Sequence, residues 1–336
     1  MKSTRIAING LGRVGKLLLR DFADKGILDQ VVLLNDAAGT LEDHAHLLEF
    51  DTVHGRWGAD IQVTENGLCI DGVNIALSRQ SDISSLPLAE LGVELLIDCT
   101  GRYRDKASIE PYFSAGVLRV LVSCPVKDGS ANNIVFGVNH ETYNPDKDNI
   151  VTAASCTTNC IAPVIKVLHE NIGITHGSIT TLHDVTNTQT IVDKPGKDLR
   201  RARSALNSLI PTTTGSATAI SLIYPELKGR LDGHAVRVPL LNASLTDCVF
   251  EMSRPVTANE LNELFKAASE GALKGILGYE TRPLVSSDYV NDPHSAIIDA
   301  QSTLVVNKTQ AKIYAWYDNE WAYACRMGDI ARYMIA

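Results

Sequence analysis

No stretch of this 336-residue sequence contains the roughly 20 consecutive apolar residues that a membrane-spanning helix needs. The N-terminus, MKSTRIAING, places Lys2 and Arg5 ahead of only one short apolar run, so no signal peptide is expected. Positive charge is not in excess either. Lys and Arg number 31 against 39 Asp and Glu, a formal net charge of −8, which argues against nucleic acid or an anionic membrane as main partner. A phosphate site would have to be a local cationic pocket. Cysteines are sparse and odd in number, seven in all at positions 69, 99, 124, 156, 160, 248 and 325, and no CxxC pair occurs. That usage speaks against a disulfide scaffold and against structural zinc, so no metal is expected, and it fits a reducing, cytoplasmic compartment. No internal repeat or low-complexity linker interrupts the chain.

What remains is an ordinary globular composition, 45% hydrophobic and 21% charged, in a chain long enough for two domains. The first part alternates strand and helix patterns: TRIAI (4–8), the amphipathic VGKLLLRDFADKG (14–26), VVLLN (31–35), VELLIDCT (93–100) and RVLVSC (119–124). This is the βαβ rhythm of a parallel sheet with helices on its faces. The polar stretch from about 60 to 80 reads as antiparallel hairpins inserted into it. After residue 150 the texture changes. A helix is predicted from Cys156 through IAPVIKVLHEN, then strands at 178–184, 234–240, 244–252 and 312–318. Strands with few intervening helices predict an α+β domain with a mixed or antiparallel sheet. The final stretch, GDIARYMIA, reads as a helix returning to the first domain. The expected division is 1–155 as a Rossmann-type dinucleotide-binding domain, completed by a C-terminal helix over 319–336, and 156–318 as the catalytic domain.

NGLGRVG (9–15) supplies Gly10, Gly12 and Gly15 in G-x-G-x-x-G spacing, after a predicted strand and at the start of a predicted helix. Glycines permit the tight turn and close approach to a pyrophosphate, and the helix N-terminus supplies donors and partial positive charge. Asp36 closes the second strand, where an acid accepts hydrogen bonds from an adenosine ribose and repels a 2′-phosphate. NAD is therefore favoured over NADP.

ASCTTNC (154–160) holds two thiols four residues apart. Cys156 sits where a loop enters a helix, whose N-terminus favours a thiolate. Cys160, one turn deeper and followed by IAPVI, reads as a small buried hydrophobe. Among nine histidines, His183, at the end of SITTLHD, is the best candidate base. His44 and His46 lie in a predicted helix, and His169 falls at a solvated helix end. Spacing alone cannot place any histidine beside Cys156.

NGLGRVG, FDTVHGRW, ASCTTNC, KDLRRAR, LIPTTTG, RVP and WYDNEW follow one another from residue 9 to 321. In this the chain resembles the phosphorylating glyceraldehyde-3-phosphate dehydrogenase family over essentially its whole length. The resemblance implies that Cys156 attacks the aldehyde to form a thiohemiacetal and that His183, opening HDVTNTQ, is the base. Hydride would leave for the nicotinamide, and inorganic phosphate would cleave the thioester. It further implies that Asn319 fixes the nicotinamide carboxamide, that Thr186, Arg201 and Arg237 hold the substrate C3-phosphate, and that Ser155, Thr157, Thr214 and Gly215 surround the attacking phosphate. Arginines and hydroxyls are the donors that tetrahedral oxyanions need. Arg200 and Arg203 are read as part of a solvated helix face. The cofactor-binding set expected is Gly10, Gly12, Arg13, Val14, Gly15, Asp36, Arg79, Thr100, Ser123 and Asn319. A homotetramer is implied.

The chain also departs from the family pattern. Leu11 stands where Phe is usual, Ala322 where Gly is usual, and Asp184 and Val185 where a small residue and Tyr are general. Lys194 lies in the segment that, in family tetramers, approaches a neighbour's adenosine, where a lysine could help bind a 2′-phosphate; Pro195 and Asp36 favour NAD. HDVTNTQ, SALNSLIPTTTGSATAI and HAVRVPLLNASLTDCVFE resemble the branch associated with arsenical export, which implies arsenate as an alternative acceptor, giving 1-arseno-3-phosphoglycerate. Erythrose-4-phosphate dehydrogenase ranks lower because TTTG is intact. A catalytically silent binding relative ranks lowest, since Cys156, His183, Arg237 and Asn319 are all retained.

Overall fold

The computed structural model describes residues 4–336, so Lys2 lies outside the described residues. The chain forms two compact units. One runs through Phe136 and takes in His140–Ala154 and Ala324–Ala336; the other comprises Gly137–Asn139 and Ser155–Tyr323.

In chain order the first unit holds β1 (Ile6–Asn9), α1 (Arg13–Asp24), β2 (Val31–Asn35), α2 (Leu41–Glu49), β3 (Ile61–Thr64), β4 (Gly67–Ile70), β5 (Val73–Ser78), β6 (Leu95–Asp98), α3 (Lys106–Ser114), β7 (Arg119–Val122), β8 (Asn132–Asn133) and β9 (Ile150–Thr152). They make one nine-stranded sheet in the order β3-β4-β5-β2-β1-β6-β7-β9-β8. From β5 to β8 neighbours run parallel, and β3 and β4 add antiparallel hairpins at one edge. Ile6, Ile8, Leu33, Leu34, Leu96, Ile97 and Leu121 are at most 1% exposed, as strands covered on both faces must be. α1 turns Leu17, Leu18 and Phe22 inward and stops at Gly26, whose φ of +66° terminates the helix without a Cβ penalty.

The second unit holds α4 (Cys156–Asn171), β10 (Ile174–His183), β11 (Ile210–Thr213), α5 (Ser216–Ile223), β12 (Leu231–Arg237), β13 (Ser244–Met252), α6 (Ala258–Glu270), β14 (Leu277–Glu280), β15 (Ala296–Asp299), β16 (Leu304–Val306) and β17 (Gln310–Tyr317). Its sheet runs β11-β12-β10-β13-β17-β15-β14, with β16 on β17. β10 pairs parallel with β12 and antiparallel with β13, so the sheet is mixed. β13 and β17 alternate buried and half-buried residues, the period-2 signature of a sheet with one face on the core.

The closing helix α7 spans Trp321–Ile335, two residues later than residue 319. Asp318 sets that start, because its Oδ1 accepts the Glu320 and Trp321 N–H groups at 2.9 and 2.8 Å. Residues up to Tyr323 group with the second unit and the rest of α7 with the first. Two further expectations need correction. Residues 191–209 form turns, not a helix, so Arg200 and Arg203 are solvated on a loop. His169 is half-buried rather than fully solvated: its ring accepts the Ile174 N–H at 3.0 Å and lies 3.1 Å from Glu226. No described helix is long and apolar enough to cross a membrane.

Candidate active site

The chain enters α4 through Ala154, whose φ of +53° lies in the left-handed region that favours glycine. This costs about 1–2 kcal/mol for an L-residue. Ser155 follows as N-cap and accepts the Thr158 N–H at 3.1 Å, which makes Cys156 the first residue of the helix. Its Sγ lies 3.6 Å from His183 Nε2. Cys160, one turn on, is fully buried between the Thr246 hydroxyl (3.6 Å) and the Ala315 carbonyl (3.9 Å). Burial pushes its thiol up to about 12, so it stays protonated and packs.

Strand register assembles the rest. His183 ends β10 and Arg237 ends β12, and the two are direct partners in the parallel ladder. Ser244 opens β13 opposite Tyr317, and Asn319 lies two residues beyond. His183 is buried, with Nδ1 2.7 Å from Asp184 Oδ1 and 2.9 Å from the Asp184 carbonyl oxygen. Burial works against its charge, but the hydrogen bonds and charges of Asp184 and Cys156 outweigh that and raise it to about 9. The imidazolium is thus available as partner of a Cys156 thiolate.

Cationic and hydroxyl groups gather around the pair. Burial, and then the charge of Arg201, disfavour the Arg237 guanidinium, and its buried Nε has no hydrogen-bond partner. Two arginines that repel each other, one with an orphaned donor, call for an anion. Arg201 donates through Nε to Thr212 Oγ1 at 3.0 Å. A second group joins Ser155, whose Oγ lies 2.7 Å from Thr158 Oγ1 and 3.3 Å from Ser216 Oγ. Thr214 donates to Ser216 Oγ at 3.1 Å. Ser155 and Gly215 are the N-caps of α4 and α5, so two helix N-termini meet at these hydroxyls, an arrangement suited to a tetrahedral oxyanion.

Residues 155–319 match the family model described as "Glyceraldehyde 3-phosphate dehydrogenase, C-terminal domain". Residues 4–106 match that of the same family's NAD binding domain. The chain is 58% identical over 329 residues to "Glyceraldehyde-3-phosphate dehydrogenase 3" of Nostoc sp. (strain PCC 7120), covering 98% of this chain and 97% of that one. It is 46% identical to "Glyceraldehyde-3-phosphate dehydrogenase 1" of Bacillus cereus, covering 98% of each chain, and 45% identical to the Geobacillus stearothermophilus enzyme, covering 99% and 98%. The chain belongs to the glyceraldehyde-3-phosphate dehydrogenase family.

The first unit fits the NAD of that family. Gly10 adopts φ +97° and its N–H donates to the Asn35 carbonyl at 2.7 Å, while a Cβ on Gly12 would meet nothing within 4 Å. A cleft of about 190 Å³ opens there, lined among others by Gly10, Gly12, Asn35, Asp36 and Thr100. Asp36 accepts the Leu11 N–H through Oδ2 at 2.8 Å. Beneath, Tyr112 donates to Asp98 at 2.6 Å and Asn35 to Asn9 at 2.7 Å, fixing the carboxyl ends of β1, β2 and β6, where ligands of such sheets bind.

Some expected residues point elsewhere. Arg13 is bonded to Asp51, Arg79 is exposed after β5, and neither they nor Val14, Gly15 and Ser123 line the cleft. The Thr157 hydroxyl turns inward to Tyr317 OH at 3.0 Å. Thr186 meets Thr188 at 2.8 Å. Sequence reasoning missed Thr158, Ser216 and Ser244. The Ser-x-x-Thr spacing at a helix start signalled the first, and nothing local signalled Ser244, whose partners are long-range.

Proposed function

We propose that this chain oxidises glyceraldehyde 3-phosphate to 1,3-bisphosphoglycerate with NAD and inorganic phosphate. The observation that carries the reading is Cys156 Sγ at 3.6 Å from His183 Nε2 at the start of a helix, flanked by arginines on one side and hydroxyls on the other. His183 takes the thiol proton, and Sγ attacks the aldehyde carbon to give a thiohemiacetal oxyanion. The Cys156 N–H, among the donors a helix leaves unpaired at its start, is assigned to stabilise that oxygen. His183 then protonates the oxyanion and reclaims the same proton as the carbon is oxidised to the thioester. NAD, when bound, supplies the hydride acceptor. Phosphate attacks the thioester carbonyl, the acyl phosphate leaves, and Cys156 returns as thiolate. Arg237, Arg201 and Thr186 are assigned to the substrate C3-phosphate, Ser155, Thr214, Gly215 and, through its backbone N–H near the start of α4, Thr157 to the attacking phosphate, and Asn319 to the nicotinamide carboxamide.

Initial rates of NADH formation test this, with phosphate and arsenate compared across concentrations and Cys156→Ser as control. Phosphate-dependent turnover abolished in the variant is expected. A marked preference for arsenate would move the reading to the arsenical-export branch, and a large preference for erythrose 4-phosphate would reassign the aldehyde. The Asp36 carboxylate supports NAD over NADP, and the unpaired thiols support a reducing, cytoplasmic setting. A homotetramer is proposed because the second unit exposes Leu199, Leu206, Leu209, Leu222 and Leu241, each more than half exposed; analytical ultracentrifugation checks it.

A further inference from the structure

One buried carboxylate touches both ends of the machinery just assigned. Asp184 is fully buried. Its Oδ1 lies 2.7 Å from His183 Nδ1, and its Oδ2 accepts Asn319 Nδ2 at 2.8 Å. Ser244 closes the ring, accepting the Asp184 N–H at 3.2 Å and donating to Asn319 Oδ1 at 3.0 Å. An ionised carboxylate only accepts. Facing it, the Asn319 amide must present its NH2 inward, and His183 must carry its proton on Nδ1, which leaves Nε2 to exchange a proton with Cys156.

Tautomer choice alone does not need this side chain, because the Asp184 backbone carbonyl, 2.9 Å from Nδ1, would serve with any residue there. What the side chain adds is charge. Arg237 Nη1 lies only 2.6 Å from His183 Nδ1 and has the Asp184 carbonyl as acceptor at 3.0 Å. An imidazolium so close to a guanidinium, whose charge Arg201 also opposes, has as counter-charges the Cys156 thiolate from α4 and the Asp184 carboxylate. Burial pushes Asp184 up, and the charge of Glu320, just before α7, adds to that, while the hydrogen bonds and charge of His183 and the amide of Asn319 hold its carboxylate form in place. Tyr317 of β17, ring edge towards His183 at 6.1 Å, is held protonated by burial and adds no charge.

We propose that Asp184 is a positioning residue that holds His183 as imidazolium against the Cys156 thiolate and, through its second oxygen, fixes the orientation of Asn319. The inference rests on the reading of Cys156 and His183 as nucleophile and base. Without the carboxylate, the pair reverts to neutral thiol and imidazole over more of the neutral range. Asp184→Asn keeps the shape and removes the charge; Asp184→Ala removes both.

The test follows thiolate by the ultraviolet absorbance difference between each Asp184 form and the same form carrying Cys156→Ser, from pH 5 to 10, with iodoacetamide alkylation of Cys156 in parallel. In both Asp184 variants the midpoint of thiolate formation is expected to rise by about one to two pH units, the size of shift one adjacent charge produces. A loss of packing alone would lower activity and melting temperature without moving that midpoint. An unmoved midpoint in either variant would overturn the proposal, and so would a shift in the Ala variant only, since charge would then not be the cause. Should neither variant fold, the wild-type chain decides: its imidazolium, followed by NMR of labelled histidine, must persist well above pH 7, and loss of the imidazolium below pH 7 would overturn the proposal. NAD affinity by calorimetry reads the other oxygen, and a weakening of about threefold to tenfold is expected once Asn319 can flip, about the value of one neutral hydrogen bond. Unchanged affinity would overturn that half. Turnover surviving in Cys156→Ser would instead refute the catalytic reading itself, leaving the two failures distinct.

Discussion

Gly10 and Gly12 stand two residues apart in one loop, yet alanine at each should fail in a different way. At Gly10, φ is +97° and an added Cβ would lie 2.7 Å from the Thr100 nitrogen and 2.8 Å from the Cys99 carbonyl carbon. Both obstacles are backbone, directly after β6, a strand paired on both sides, so neither can swing away. The left-handed conformation alone costs about 1–2 kcal/mol, and the overlap adds about 1–3 more, as overpacking does elsewhere. A loss of about 3 kcal/mol of stability is expected. Gly12 has φ −72° and open space where a Cβ would go, so Ala costs nothing in strain and stability should change by less than about 0.5 kcal/mol. That space is where the pyrophosphate is expected, however. Losing one charge-assisted hydrogen bond costs about 1.5–3 kcal/mol, so Gly12→Ala should weaken NAD binding about tenfold to a hundredfold. Denaturant melts and calorimetric NAD titration on both variants separate the two effects. Gly12→Ala binding NAD like the wild type would refute the placement of the dinucleotide in this loop. A Gly10→Ala variant as stable as wild type would refute the steric argument.

Mass spectrometry after brief iodoacetamide treatment near neutral pH should find Cys156 carboxamidomethylated and Cys160 untouched, because Cys160 is buried with its thiol pushed up to about 12. Ala154→Gly should raise stability by about 1 kcal/mol by relieving the +53° φ, seen as a higher denaturant midpoint; an unchanged midpoint would show that the turn is not strained. Asp21, buried in the first unit, is raised by burial to about 6 despite Lys25 at 2.9 Å. The folded state therefore keeps a proton that the unfolded state releases near pH 4. Stability should fall as pH rises from about 4 to 6, by about 2–3 kcal/mol relative to Asp21→Asn; parallel pH profiles for the two proteins would contradict this.

Legibility in the sequence followed locality. The parallel-sheet rhythm of the first unit, the start of α4 at Cys156 and the span of β13 were all readable, because each depends on neighbours a few residues away. The loop around Arg200 and Arg203 was misread as a helix: its charged and small residues suit a helix face, but its backbone is turned by local hydrogen bonds, including Asp198 Oδ1 accepting the Arg200 N–H at 2.9 Å and Asp193 accepting the Ser204 N–H at 2.9 Å. His169 looked solvated because it ends a helix, yet the return of the chain at Ile174 partly covers it. Asp184 was visible only as an unexpected acid next to the base. Its partners, Ser244 and Asn319, lie 60 and 135 residues away, and no local pattern could have joined them.

That separation also explains why the site should be robust. His183, Arg237, Ser244 and Tyr317 are not held by a loop but by register: two are direct partners in the parallel pair β10/β12, and two in the antiparallel pair β13/β17. Sliding β12 by one residue would put Val236 opposite His183 and turn Arg237 to the other face. It would also bury the wrong side of a strand whose Ala235 and Leu231 now pack inside. The hydrophobic alternation that builds the sheet therefore also places the guanidinium beside the base. Only the groups beyond the strand ends, Asp184 and Asn319, depend on side-chain hydrogen bonds for their position, and it is there that single substitutions should alter chemistry while leaving the fold intact.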